Sequence, residues 1–171
     1  MNQLFLPLRI IHVLFAAAWL GGAVFTAFFL MPAMQDAGPD AGKVMMALMR
    51  RKLPAYIASV AGLTVVTGLY LYWHLTSGFD PALSGSLAGR VFGTGGLLGI
   101  VAFILAASIV SRSMKGAVKL MVQAGSTADA KERGALMERA AALRARARTF
   151  ASIVAVLLIF AIMFMAAGHY V

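Results

Sequence analysis

Three side chains in this sequence can offer a neutral ring nitrogen to a transition metal: His12, His74 and His169. They are its only histidines, and it has no cysteine. The missing thiols exclude disulfide scaffolds, thiolate metal sites, c-type haem attachment and cysteine nucleophiles. Imidazole suits haem iron, copper and zinc. Zinc hydrolysis needs a carboxylate base, yet the apolar stretches that carry these histidines hold no Asp or Glu. The same lack argues against a proton relay of the transporter kind. Copper would combine histidine with methionine, and Met165 lies one helical turn before His169. Most of the eleven methionines lie elsewhere, including Met45, Met46 and Met49, and read as packing material. Haem b needs one or two axial ligands and a slot between helices.

The elements that would position these groups are membrane helices. The chain has 171 residues, 61% hydrophobic and 12% charged, with a mean hydropathy of +0.87. A soluble domain carries about a quarter charged residues. Four stretches lack Asp, Glu, Lys and Arg: Ile10 to Gln35, Leu53 to Phe79, Val91 to Ser111 and Thr149 to Val171. Each exceeds the roughly 20 residues a helix needs to cross a bilayer. Lipid offers backbone groups no partner, so each should be helical. The fold expected is an all-α integral membrane protein, one domain over residues 1–171. Its spans are placed at about 6–34, 53–77, 90–112 and 149–169, with a cytoplasmic helical extension at 113–148. The first span is too long for a cleaved signal peptide and is read as retained.

Charge orients these spans. Thirteen of the fifteen Lys and Arg fall between spans one and two or between spans three and four, and only Arg9 and Arg90 fall on the other side. By the positive-inside rule, both termini and the Ser77–Gly89 loop are expected outside a bacterial inner membrane. The net charge of +9 then reads as loops facing anionic lipid, not as a nucleic-acid surface. All three histidines fall at the outer end, on three different helices. Ionisable groups at membrane depth usually face the bundle interior, so each is a site candidate. Trp19 follows His12 by seven residues on the same helical face, with the small Ala16 between them leaving room for a flat ligand. The plainer alternative makes His12 an interhelical hydrogen bond and leaves His74 and His169 among headgroups, His74 beside a belt of Tyr70, Tyr72 and Trp73.

In the extension, Gly125 reads as a helix C-cap and Ser126 to Asp129 as a capping box, giving a hairpin that turns near Gly125. Its basic residues suit lipid phosphates, or a partner protein in the sharper reading. Glycines at 89, 93, 95, 96 and 99 let span three pack closely within the bundle, or in a homodimer.

The run Leu8-Arg9-Ile10-Ile11-His12-Val13-Leu14, then Trp19-Leu20-Gly21-Gly22 and Pro32, resembles the first helix of small bacterial membrane proteins of the copper-resistance-D (CopD) type. It is also similar to that of HemJ-type protoporphyrinogen oxidases. Gly68 to Trp73 and the arginine-rich approach to span four look like relatives of the CopD group. The resemblance implies haem b on His12 in the HemJ case and copper handling at the outer face in the CopD case. Span three lacks the lysine and further histidine of the HemJ pattern.

The leading expectation is a haem b protein of the outer membrane face, with His12 as ligand and His74 or His169 opposite. Its work would be electron transfer, with a quinone or periplasmic redox protein as partner. One rival is a copper-binding protein using His12, His74, His169 and Met165. Another is a cofactor-free subunit of a larger membrane complex, docked through its basic hairpin.

Overall fold

The computed structural model describes residues 4–38 and 41–171. Helix α1 spans Phe5–Asp36, α2 Ala41–Arg50, α3 Leu53–Leu75 and α4 Pro81–Gly85. Helix α5 spans Leu87–Ser126 and α6 Ala130–Ala167. There is no strand among the described residues. Four of these helices, α1, α3, α5 and α6, are long and apolar enough to cross a membrane.

Two of the long helices are interrupted. Helix α1 opens into a π turn at Thr26–Leu30, just before Pro32. A proline has no N–H to give, and its ring crowds the carbonyl four residues back, so a widened turn there relieves the clash. Helix α5 does the same at Ala106–Val110. Ser108 donates to the Ile104 carbonyl at 2.5 Å and competes for an acceptor in that turn.

The ends have local causes. Lys52 adopts a left-handed conformation (φ 56°) before α3, and Pro54 occupies the first turn, where a missing N–H costs nothing. Helix α3 stops at Leu75, two residues before the expected boundary. The turn beyond it needs positive φ at Ser77, Gly78 and Phe79. Thr76, fully buried, fastens this turn by donating to the Tyr72 carbonyl and accepting from the Phe79 N–H. Helices α2 and α4 lie where the sequence reads only as loops. Helix α5 runs through Gly125, so that glycine is not the cap. Ser126 and Thr127 both donate back to the Gln123 carbonyl at 2.9 Å and close α5. Asp129 then caps α6 by accepting from Lys131 N–H at 2.8 Å, with Glu132 in the first turn. The cap thus falls three residues later than the Ser126 position, because a carboxylate is the stronger acceptor for helix N–H groups.

The long helices form a closed ring: α1 packs on α3 and α6, and α5 packs on α3 and α6. Neighbours run antiparallel. At the core, Trp19 meets Val60, Ala61, Ala102, Val154 and Leu158. Further along, Ala27 packs on Ala151 and Ala155. Small residues at such contacts let backbones approach, which is how helices associate without a hydrophobic driving force. Large apolar side chains instead point outward, with Leu6, Leu14 and Val66 more than 60% exposed. Beyond the ring, α5 and α6 continue together as the hairpin that turns at residues 127–129.

Candidate functional site

The first two turns of α1 carry one histidine and meet the other two, one after another along a single face. Phe5, Arg9 and His12 are four and three residues apart, so they project in one direction. Phe5 stacks at a tilt on His74, with ring centroids 5.1 Å apart. Arg9 reaches His169. His12 enters the contact between α1 and α3.

His12 is held by α3 at two points. Its Nδ1 lies 3.0 Å from the Thr64 carbonyl and 3.0 Å from Thr67 Oγ1. A carbonyl only accepts, so Nδ1 carries the hydrogen. The Thr67 hydroxyl sends its own proton to the Leu63 carbonyl at 2.6 Å, which leaves its oxygen free to accept as well. In the neutral ring, Nε2 is then the unprotonated nitrogen, with its lone pair directed away from these partners. A backbone carbonyl on Nδ1 fixes ring and tautomer in this way at many metal-bound histidines.

Gly68 is the seat for this ring. A Cβ there would lie 2.8 Å from His12 Cε1 and 3.4 Å from Nδ1. Gly62, two turns earlier on α3, has nothing within 4 Å of the same position. The glycine at 68 therefore has a specific occupant beside it.

His169 is differently engaged. Arg9 Nη2 lies 2.7 Å from its Nε2 and 3.3 Å from its Nδ1. Guanidinium only donates, so the ring nitrogen that receives this bond uses its lone pair on Arg9. The ring also meets Phe92 of α5 edge-on at 5.2 Å. His74 touches Phe5 and, at 6.4 Å, Tyr70. It stands seven residues beyond Thr67, about 10 Å further along α3. Among the described residues, no three His, Asp or Glu side chains gather as a metal site. The three histidines share one end of the molecule, but each has its own partners.

The remaining candidates separate. Trp19 is 2% exposed and sits in the core, edge-on to Phe103 at 6.4 Å. Ala16 is half-buried between the turns of His12 and Trp19. Met165 lies against α5: a Cβ on Gly95 would sit 3.2 Å from its Cε, and one on Gly96 4.0 Å away. It serves the α5–α6 contact. Tyr72, read from sequence as part of an interfacial belt, crosses to α5 and donates to the Gly89 carbonyl at 3.2 Å.

Thr64, Thr67, Gly68 and Arg9 are the neighbours of the histidines that the histidine pattern alone did not single out. Two threonines three residues apart in an apolar run were the available signal, because a hydroxyl inside a membrane helix bonds its own backbone or a side chain across the gap.

The chain matches no protein-family model, no curated protein and no solved structure.

Proposed function

We propose that this chain is a four-span protein of a bacterial inner membrane that holds haem b through His12 near its outer face. The spans leave both termini outside and the basic hairpin in the cytoplasm. The thirteen-to-two division of Lys and Arg supports that orientation, and the outward-facing Leu6, Leu14 and Val66 suit a lipid surround.

The observation that carries the haem reading is the hydrogen bond from His12 Nδ1 to the Thr64 carbonyl, which leaves Nε2 as a basic donor of fixed orientation. The donor set fits an iron porphyrin with one protein ligand. His169 does not suit the opposite position, since its lone pair is committed to Arg9. His74 lies against Phe5 and Tyr70. Held through His12, haem b would supply a redox-active iron suited to a small ligand or to oxygen chemistry. Thr64 and Thr67 orient the ring, Gly68 gives it room, and Arg9 ties α1 to α6 one turn above it. This reading departs from the bis-histidine electron carrier of the sequence expectation. A copper site made of His12, His74, His169 and Met165 has less support, because those groups serve separate contacts.

Two experiments test the proposal. Protein purified in mild detergent should show a Soret band and a pyridine haemochrome of b type, near one haem per chain, and His12→Ala should remove it. A colourless wild-type protein would overturn the haem reading. If it came with a stable partner protein, the accessory-subunit reading would replace it. The lack of native cysteine permits a clean test of orientation. A cysteine at Ala82, which is exposed on α4, should react with an impermeant maleimide from outside the cell, and one at Gln123, exposed near the hairpin turn, should not. The reverse pattern would invert the topology.

A further inference from the structure

The end of the ring opposite the histidines holds a different feature. Six of the eleven methionines line one groove of about 240 Å³. Met34 comes from the end of α1, Met45 and Met49 from α2, and Met114 and Met121 from α5. Among the described lining residues, Arg144 of α6 is the one that carries a charge. It makes no hydrogen bond or ion pair with any described residue.

Helix α2 explains how the groove forms. Its ten residues are too few to cross a bilayer, so it lies where the spans end. Met45, Met46 and Met49 recur on one side of it, while Lys43 and Arg50 lie off that side. Such a helix rests in the interface with its apolar face inward. Its methionines and those of α5 then form two walls, with Arg144 on the third. The edge remains apolar and open, with Met46 and Val122 more than half exposed.

We propose that this groove binds one anionic phospholipid of the cytoplasmic leaflet, its acyl chain among the methionines and its phosphate on Arg144. Unbranched, polarizable methionine side chains adapt to irregular apolar shapes and suit a chain with many conformers. A guanidinium with no acceptor among the described residues presents a fork matched to phosphate oxygens. Thioethers also select monovalent copper. A metal cation would here face Arg144 with no carboxylate among the described lining residues, so the charge favours the amphiphile. The inference rests on the membrane-spanning reading above and is independent of the haem.

The test is native mass spectrometry of the full chain released from nanodiscs of phosphatidylcholine and phosphatidylglycerol in equal amounts. Wild type should retain one phosphatidylglycerol in preference to phosphatidylcholine. Arg144→Gln should reduce that preference about tenfold, the effect of losing one charge-assisted hydrogen bond. Arg139→Gln, an exposed charge on the same helix, should leave it unchanged. Met49→Trp, which fills the groove, should lower retention of both lipids. Equal retention of the two lipids by wild type would overturn the proposal. So would an equal effect of the two arginine variants, which would mark general surface attraction. Tight binding of silver ion that displaces the lipid and is lost in Met45→Leu/Met114→Leu would overturn it in favour of a soft-metal site. A chain absent from the membrane fraction would overturn the spanning reading together with the lipid site.

Discussion

Gly68 tests most directly whether the structure seats His12 as described. An alanine Cβ there would lie 2.8 Å from His12 Cε1. Ordinary carbon contacts are about 3.5–4.0 Å, so the ring must retreat by about 0.7–1.2 Å. It cannot do so freely, because both 3.0 Å contacts of Nδ1 run to the same helix that carries the new methyl. Overpacking of this kind costs about 1–3 kcal/mol. Alanine also gains about 1 kcal/mol over glycine inside a helix. Gly62→Ala shares that gain without the clash, since nothing lies within 4 Å of its Cβ position. The difference between the two variants cancels helix propensity and should be about 1–3 kcal/mol, with Gly68→Ala the less stable. Thermal unfolding in detergent, followed by tryptophan fluorescence, measures this difference. Haem content gives a second readout: moving a ligand off its orienting partner weakens such sites about 10–100-fold. Gly62→Ala should keep full occupancy. Equal unfolding midpoints together with full haem in Gly68→Ala would refute the seat.

His169→Asn and His74→Ala should both keep the haem and leave its absorption spectrum unchanged, and loss of the low-spin or high-spin signature in either would mark that residue as a second ligand. Gly95→Ala should destabilise the α5–α6 contact by about 1–3 kcal/mol, because its Cβ would meet the Ala161 carbonyl at 3.0 Å and Phe164 Cβ at 3.2 Å; a thermal midpoint equal to that of wild type would contradict this. Asp129→Ala should cost about 1 kcal/mol of helix stability, appearing as faster hydrogen exchange at Lys131 and Glu132 with no change at the histidine end. Trp19→Ala should cost about 3–5 kcal/mol, and a variant as stable as wild type would remove Trp19 from the core.

The four long helices were legible because uncharged runs above twenty residues have few structural alternatives. The hairpin was legible too, although its cap fell at Asp129, since local hydroxyl bonds at Ser126 and Thr127 serve the helix behind them. The site was only partly legible. Charge placed the histidines at one end, but helix rotation depends on packing that a one-dimensional pattern does not encode. Trp19 and His12 share a face, yet two turns of depth decide that Trp19 fills the core while His12 meets Thr64. The Arg9–His169 bond joins residues 160 apart in sequence. Nothing local announces it except that both stand near the same end of antiparallel helices. Methionines scattered through the chain looked like filler until α2, α5 and the end of α1 brought six of them around one groove.

The widened turns of α1 and α5 each act as a one-residue phase shift. Removing a residue from a regular helix rotates everything downstream by about 100°; the extra residue in each π turn does the reverse and then holds it. The stretch of α1 that faces α3 through His12 is thereby rotated relative to the stretch that carries Met34 to the groove. The two proposed ligand sites therefore stand on one helix with a fixed angular offset between them, set by the extra residue at Thr26–Leu30.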